Sequence, residues 1–302
     1  MNILIYKLLN RKVKGFSGIT HILIAIFLLF ILLYIKIPFS ENFIFLFKNN
    51  WKFIIVSFFT ITGAALLPDL DSARSTARFQ LGFLGSLLKT GMTSLSYLAT
   101  KLTRMKKDWI PDSQHRCLWH TPFIGGLIGF LFWKFIPESQ VTYLSLLKST
   151  INNMDFANWF IDNLASHICI FMAFCSIYLG VKIISFRVFK IFPNTIQRVL
   201  PLTIIMACFY LLLTISFTEI KYIGVSISLG YLFHIFGDIF TKGSIPILWP
   251  IPIPWKNQWW WRPQGFIFGK IETGGILNII INYILLALNL FIGYLLFIKD
   301  LI

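Results

Sequence analysis

The stretch that decides the fold is 222–241, which reads YIGVSISLGYLFHIFGDIFT. Its twenty residues include one Asp, one His and no Lys or Arg. A helix needs about 20 predominantly apolar residues to cross the ~30 Å hydrocarbon core of a bilayer. The stretch therefore predicts a membrane-spanning helix that carries two ionisable side chains.

The composition of the whole chain is that of a membrane protein. Of its 302 residues, 57% are apolar and 13% are charged, whereas soluble domains have roughly 45–50% apolar and about 25% charged residues. This composition excludes a soluble globular fold. Apolar runs with charged or proline-containing flanks predict seven spans, at 20–37, 53–68, 118–136, 164–184, 200–218, 222–241 and 276–298.

One further apolar segment, 79–100, is interrupted by glycines and by Lys89. We expect this segment to be interfacial or re-entrant rather than membrane-spanning. No polar block is long enough for a separate soluble domain, and no internal repeat is visible. Residues 1–302 are therefore predicted to form a single integral-membrane domain, an all-α polytopic bundle of about seven spans.

Positive charge is distributed unevenly among the predicted loops. The formal net charge is +15, and with the N-terminus inside, twenty of the 27 Lys and Arg residues fall on the cytoplasmic side. Because basic loops are retained in the cytoplasm, the N-terminus is expected to be cytoplasmic. The charge therefore marks orientation in a lipid bilayer, and no nucleic-acid partner is expected. The oligomeric state stays open.

Seven ionisable residues fall at one predicted depth of the membrane. His234 and Asp238 are four residues apart on a predicted helix and share one face. Asp69 and Asp71 follow Pro68 at a helix end, where an extended or turning backbone lets both point to the same side. Ionisable residues in spans are costly and usually functional. We predict a site for two or more divalent ions, Zn²⁺ or Mn²⁺, formed by His21, Asp69, Asp71, His115, His120, His234 and Asp238.

Other interpretations of these residues stay open. His234 and Asp238 are also compatible with an ion pair between helices, and Asp69 and Asp71 with a cap or with loop charges. His167 lies near the outer end of its predicted span with no partner motif, so we expect it to be a packing residue. The cysteines form no CxxC pair and are expected to be small core residues rather than ligands: Cys117, Cys169, Cys175 and Cys208.

The same motifs, taken in order over roughly 18–265, resemble a known family. They are Thr-His-Ile-Leu at 20–23, Leu-Pro-Asp-Leu-Asp at 67–71, His115-Arg116 with His120-Thr121, and Gly-Tyr-x-x-His-x-x-x-Asp at 230–238. They resemble the YdjM-type inner-membrane proteins, described as membrane-bound metal-dependent hydrolases. That family is distantly similar to zinc-dependent phospholipases C and single-strand nucleases. The resemblance implies a bacterial inner-membrane hydrolase with two or three metal ions, Zn²⁺ being expected, held by the seven residues named above.

A hydrolase of this kind assigns roles to several neighbouring residues. Asp71 would bridge ions or accept the proton of a metal-bound water. Arg116 has a guanidinium matched to phosphate, and Arg74 and Arg262 would assist. Thr121 and Thr241 would donate hydrogen bonds behind the ligands. Each arginine is also compatible with membrane anchoring, and each threonine with a bond to its own helix.

The tryptophan-rich stretch around Trp249 is compatible with an interfacial aromatic belt or with a lid that presents a lipid phosphate to the metals. A phosphate ester, lipid-linked by location, is therefore the expected substrate class. Two other classes compete with a hydrolase. One is an ion or proton-coupled transporter that uses the same intramembrane cluster. The other is a membrane scaffold with a structural metal site, although structural zinc sites are usually rich in Cys.

Overall fold

The computed structural model describes residues 18–35, 41–72, 75–108, 115–152, 156–188, 192–241, 245–253, 256–258, 260–262 and 276–297. The described residues form helices and turns, and no strand is found among them. The α-helices are α1 Gly18–Ile35, α2 Glu41–Asn49, α3 Trp51–Ala64, α4 Thr76–Thr103, α5 Pro122–Phe135, α6 Tyr143–Asn152, α7 Phe156–Asp162, α8 Leu164–Val188, α9 Asn194–Thr214, α10 Phe217–Ile239 and α11 Ile276–Phe297. Two 3-10 turns, Pro68–Asp71 and Leu118–His120, precede α4 and α5.

The predicted fold class is confirmed. Six described segments are long and apolar enough to cross a membrane, by length and composition: Gly18–Ile35, Trp51–Asp71, Leu164–Phe186, Asn194–Thr214, Phe217–Ile239 and Ile276–Leu296. They correspond to six of the seven predicted spans. The remaining one, 118–136, differs in length, because α5 has 14 residues and rises only about 21 Å. Helix α5 begins at Pro122, because Thr121 has an extended backbone and proline is favoured in the first helical turn.

Segment 79–100 lies within α4, which is not among the six candidate spans. Its glycines interrupt the apolar run, and one residue of α4, Gly82, has a non-helical backbone. The φ and ψ angles of Gly82 are 58° and −125°, a conformation that glycine adopts without steric cost. Several large apolar side chains of α4 are exposed, among them Phe79, Phe83 and Leu102. The interfacial location of this segment stays a prediction.

The chain separates into two compact units, and the single-domain organisation stays a prediction. The first comprises the described residues of Met1–Ile35, Ala65–Ile124 and Tyr231–Ile302. In this unit α1 packs against α11, and both 3-10 turns pack against α4. The hydroxyl of Thr20 on α1 donates to Oδ1 of Asn278 on α11, over 3.0 Å. The C-terminal part of α10 also belongs to this unit.

The second unit comprises the described residues of Lys36–Ala64 and Gly125–Gly230. Its centre is the contact between α3 and α8, and α9 packs against both helices. A methyl group added at Gly63 of α3 would lie 1.7 Å from the carbonyl oxygen of Ser176 on α8. A methyl group added at Gly180 of α8 would lie 2.3 Å from the carbonyl oxygen of Phe59. The two backbones therefore approach closely through small residues, as is common between membrane helices.

Candidate metal centre

All seven predicted ligands lie in the first unit. His21 is in the first turn of α1, and Asp69 and Asp71 lie on the first 3-10 turn. His120 ends the second 3-10 turn, which follows His115. His234 and Asp238 are on α10, separated by one helical turn. Four separate segments thus bring these side chains together.

Three of the ligands form a buried core. Nε2 of His234 lies 3.2 Å from Oδ2 of Asp238, and Nε2 of His120 lies 3.5 Å from the same oxygen. The side chains of all three residues are 0% exposed. Ligands that bind one tetrahedral Zn²⁺ at ~2.0–2.1 Å are separated by about 3.3 Å. The spacing of these atoms therefore suits one shared ion.

Two more groups of potential ligand atoms adjoin this core. Each offers one atom per residue within 4.8 Å of the others: His21, Asp69 and His234 in one group, and Asp69, His115 and His120 in the other. Oδ1 of Asp69 is 3.7 Å from Nε2 of His120 and 3.9 Å from Nε2 of His234. Because Asp69 is shared by both groups, its carboxylate is placed to bridge two ions.

Several buried ligand atoms lack a hydrogen-bond partner among the described residues. They are both ring nitrogens of His120, Nε2 of His234, and Oδ2 of Asp71 and Asp238. A buried polar atom left unsatisfied costs roughly 1–3 kcal/mol. The facing nitrogens and oxygens are separated by 3.2–3.9 Å, mostly beyond the ~2.7–3.2 Å of a hydrogen bond. Divalent ions bound by the carboxylates and by one nitrogen of each imidazole would satisfy most of these atoms, so the residues present fit a metal centre.

Hydrogen bonds behind the ligands orient two of the imidazoles. Nδ1 of His234 lies 2.7 Å from the carbonyl oxygen of Ala65. Since a carbonyl only accepts, Nδ1 donates, and the lone pair of His234 is on Nε2, which faces the carboxylates. Nδ1 of His115 lies 2.6 Å from Oδ1 of Asp71. Asp71 therefore orients His115. Its other oxygen, Oδ2, lies 3.5 Å from Nδ1 of His120.

Arg116 holds Asp238 in place. Its backbone has a φ of 63°, a conformation that costs a non-glycine residue of order 1–3 kcal/mol and is frequent at functional sites. The side chain is buried, and its guanidinium donates to Oδ1 of Asp238 over 2.7 Å and to the hydroxyl of Thr241 over 2.6 Å. These contacts make Arg116 a positioning residue for a ligand. Its predicted contact with phosphate stays a prediction.

The other predicted site residues differ in where the structure places them. Thr241 accepts from Arg116 and donates to the backbone of Asp238. The hydroxyl of Thr121 donates to the carbonyl oxygen of Leu118, the bond to its own segment that the sequence left open. Arg262 is buried and donates to the carbonyl oxygen of Arg116, so it supports the loop that carries that residue. Arg74 lies outside the described residues.

Trp249 lies in an aromatic cluster rather than against a ligand. Its ring stacks on Trp260 and meets the ring of Phe123 edge-on, with centroids 5.3 and 5.5 Å apart. The backbone N–H of Trp260 donates to Oδ1 of Asp108 over 2.8 Å, and its indole N–H donates to Thr103 at the end of α4. The tryptophan segment is thereby attached to α4.

Cys117 is buried beside the centre and is not a member of the groups of potential ligands described above. Burial raises the pKa of its thiol to about 11. This agrees with the expectation that Cys117 is a core residue.

The centre has one more accessible side. The side chains of Asp69 and His115 are 19% and 23% exposed, whereas His21, Asp71, His120, His234 and Asp238 are nearly inaccessible. A molecule from outside would therefore reach the centre past Asp69 and His115.

Sequence reasoning assigned no role to three supporting groups. The carbonyl of Ala65 carries no side-chain signal at all, and it is the partner of His234. The hydroxyl of Tyr231 donates to the carbonyl oxygen of Trp119, next to His120; its place one turn before His234 on the same helix face was a usable signal. Asp108 anchors the tryptophan segment, and only its burial identifies it.

Comparison with known proteins gives one match. The model of the YdjM inner membrane protein family matches residues 199–299, a part of the chain that contains His234 and Asp238 but not the other five candidate ligands. No curated protein and no solved structure matches the chain. The family match and the apolar helices support an integral inner-membrane protein. Similarity to hydrolases and phospholipases C stays a prediction.

Proposed function

We propose that this chain is a membrane-embedded, metal-dependent hydrolase of phosphate esters. The observation that carries the proposal is the set of buried histidine and carboxylate atoms that face one another without hydrogen bonds, around His120, His234 and Asp238. The donor set is rich in carboxylate and imidazole and has no Cys ligand among the described residues. Closed structural zinc sites usually contain Cys, whereas catalytic sites combine His and carboxylate.

The residues divide into those that hold the ions and those that act beside them. His120, His234 and Asp238 would hold one ion, and Asp69 would bridge to a second held by His21 or His115. Bound ions would lower the pKa of a coordinated water to near 7 and stabilise charge on the phosphate oxygens. Arg116 orients Asp238 through its 2.7 Å contact.

Asp71 is the candidate general base. One of its oxygens, Oδ1, is engaged by His115, while Oδ2 is buried and has no hydrogen-bond partner among the described residues. Oδ2 is therefore the atom that would receive a proton from the attacking water.

The test uses purified protein in detergent, loaded with Zn²⁺ or Mn²⁺, and bis(p-nitrophenyl) phosphate as substrate. We expect metal-dependent release of nitrophenol, and a loss of about 10²–10⁴-fold in kcat for Asp71→Asn with metal content retained. Asp162→Asn, on exposed α7, is the matched control and keeps the wild-type rate. Metal-loaded wild type that hydrolyses no phosphate ester, but moves the metal ion or protons in proteoliposomes, would overturn the proposal in favour of a transporter.

A further inference from the structure

An apolar groove adjoins the metal centre in the first unit. It has a volume of about 210 Å³ and is lined by residues of α1, α10 and α11 together with Phe240: Ile24, Phe27, Leu28, Phe236, Gly237, Phe240, Ile281 and Leu285. No polar side chain lines it. An apolar cavity of ~150 Å³ accepts benzene, so on the same scale the groove holds a hydrocarbon segment of roughly eight carbons.

The groove adjoins the metal centre at Gly237. Gly237 lies between the ligands His234 and Asp238 on α10 and lines the groove. A methyl group added there would lie 3.0 Å from Cδ1 of Ile24 and 3.2 Å from Nδ1 of His21. Only a residue without a side chain therefore separates the apolar surface of the groove from the imidazole of a candidate ligand.

The pattern along α1 repeats this arrangement. His21, Ile24 and Leu28 are three and four residues apart, so they share one helix face. His21 is stacked on His234 within the centre, with ring centroids 3.9 Å apart, and the next two residues on that face line the groove. Phe236, which is 48% exposed, stands on the outer side. One face of α1 thus contacts the metal centre through His21 and the groove through Ile24 and Leu28.

We propose that the groove holds the hydrocarbon chain of a lipid phosphate ester whose phosphate lies at the metal centre. This inference rests on the proposed function and narrows its substrate class to membrane lipids that carry a phosphate. The match is one of chemistry, because metal ions held by these ligands would attract the phosphate and the adjoining groove is lined only by apolar side chains. The helices that form the groove are candidate spans, so lipid chains are the hydrocarbon available to them.

The test is photo-crosslinking of the metal-loaded protein with phosphatidic acid that carries a diazirine near the middle of one acyl chain. We expect adducts on groove residues of α1, α10 and α11. Excess phosphatidic acid should displace the probe, and diacylglycerol with the same acyl chains, which carries no phosphate, should not. Leu28→Trp and, independently, Ile281→Trp fill the groove and should lower groove labelling about tenfold, with metal content unchanged.

Leu290→Trp is the matched control, since Leu290 is on α11 and 69% exposed; it should label as wild type does. Equal displacement by diacylglycerol, or labelling unaffected by both filling variants, would overturn the inference in favour of bulk lipid at the surface. The outcome is separable from the proposed function, because crosslinking needs no turnover. Hydrolysis of the soluble ester without groove labelling would support the proposed hydrolase activity and contradict the proposed lipid-chain site. Selective groove labelling without hydrolysis would support the lipid-chain site and contradict the hydrolase activity.

Discussion

The two units of the molecule each contain a histidine on a candidate membrane span, and the surroundings of the two differ. His234 in the first unit donates to a backbone carbonyl and turns Nε2 towards Asp238 and Asp69. His167 in the second unit has its Nδ1 2.9 Å from the hydroxyl of Tyr143, and its ring stacks on Phe160. Carboxylates surround one imidazole and aromatic rings the other.

This difference separates a candidate ligand from a packing residue. Burial raises the pKa of Tyr143, so its hydroxyl stays protonated at neutral pH and can donate to His167. His167 is thereby accommodated by neutral groups, with no carboxylate near it among its described contacts. Nε2 of His234 is buried and has no hydrogen-bond partner among the described residues. A positive charge between this nitrogen and the carboxylates would stabilise the arrangement. We therefore expect the stability of the first unit to depend on its buried charges, and the stability of the second unit to depend on close packing.

The largest expected effect is at Asp238. Asp238→Ala removes a buried carboxylate that pairs with Arg116 and faces two histidines. Breaking a buried ion pair costs roughly 3–5 kcal/mol, because the remaining charge is left uncompensated. Thermal unfolding in detergent should show a clear loss of stability. Asp162→Ala, at an exposed position of α7, should unfold as wild type does, and equal unfolding of both variants would contradict the dependence of the first unit on charge.

Metal addition should separate the two histidines. An ion that binds only the folded protein stabilises it by about 2.7 kcal/mol at 100 times its Kd. Zn²⁺ should therefore raise the unfolding temperature of wild type and of His167→Ala, and leave that of His234→Ala unchanged. If Zn²⁺ stabilises all three proteins equally, it binds elsewhere.

Close packing in the second unit is tested at Gly63. Gly63→Val places side-chain atoms against the backbone of α8, where an added methyl group already lies 1.7 Å from the oxygen of Ser176. Overpacking of this kind costs typically ~1–3 kcal/mol, measured as a lower unfolding temperature with metal binding retained. Gly126→Val is the control, since nothing lies within 4 Å of a methyl group added at Gly126. Equal stability of the two variants would show that α3 and α8 are not in close contact.

The smallest expected effect is at the hydrogen bond of His167. Tyr143→Phe removes one hydroxyl and should cost about 1 kcal/mol, the usual net value of one hydrogen bond. Metal content and the response to Zn²⁺ should be those of wild type. A change in metal content in this variant would show that His167 is not a packing residue.

Much of the fold was predictable because a membrane span corresponds to one continuous apolar run in the sequence. Apolar runs identified six candidate spans and α5, but the start of α5 depends on Pro122 and on a turn that the run does not reveal. Several glycines interrupt the apolar run of 79–100, yet only Gly82 adopts a non-helical conformation in α4. Which glycine breaks a helix and which allows close packing depends on neighbours that are distant in sequence.

The candidate ligands were predictable for a related reason. Carboxylates and histidines are rare in this chain, so their positions stand out from the apolar background. Their supporting contacts were less accessible to sequence reasoning. The carbonyl of Ala65 has no signature, and the interaction of Arg116 with Asp238 joins residues 122 positions apart. The prediction that Arg116 contacts phosphate rested on its chemistry alone, whereas its partner depends on the fold.

The central claim is that the buried histidine and carboxylate cluster holds divalent metal, and elemental analysis of purified protein tests it most directly. Wild type, His120→Ala and the control His167→Ala are compared after incubation with Zn²⁺ or Mn²⁺ and removal of the excess. We predict two or more ions per chain in wild type and His167→Ala, and a marked loss in His120→Ala, whose two ring nitrogens face Asp71 and Asp238. A folded wild type that stays metal-free, or a His120 variant that retains all its metal, would contradict the account.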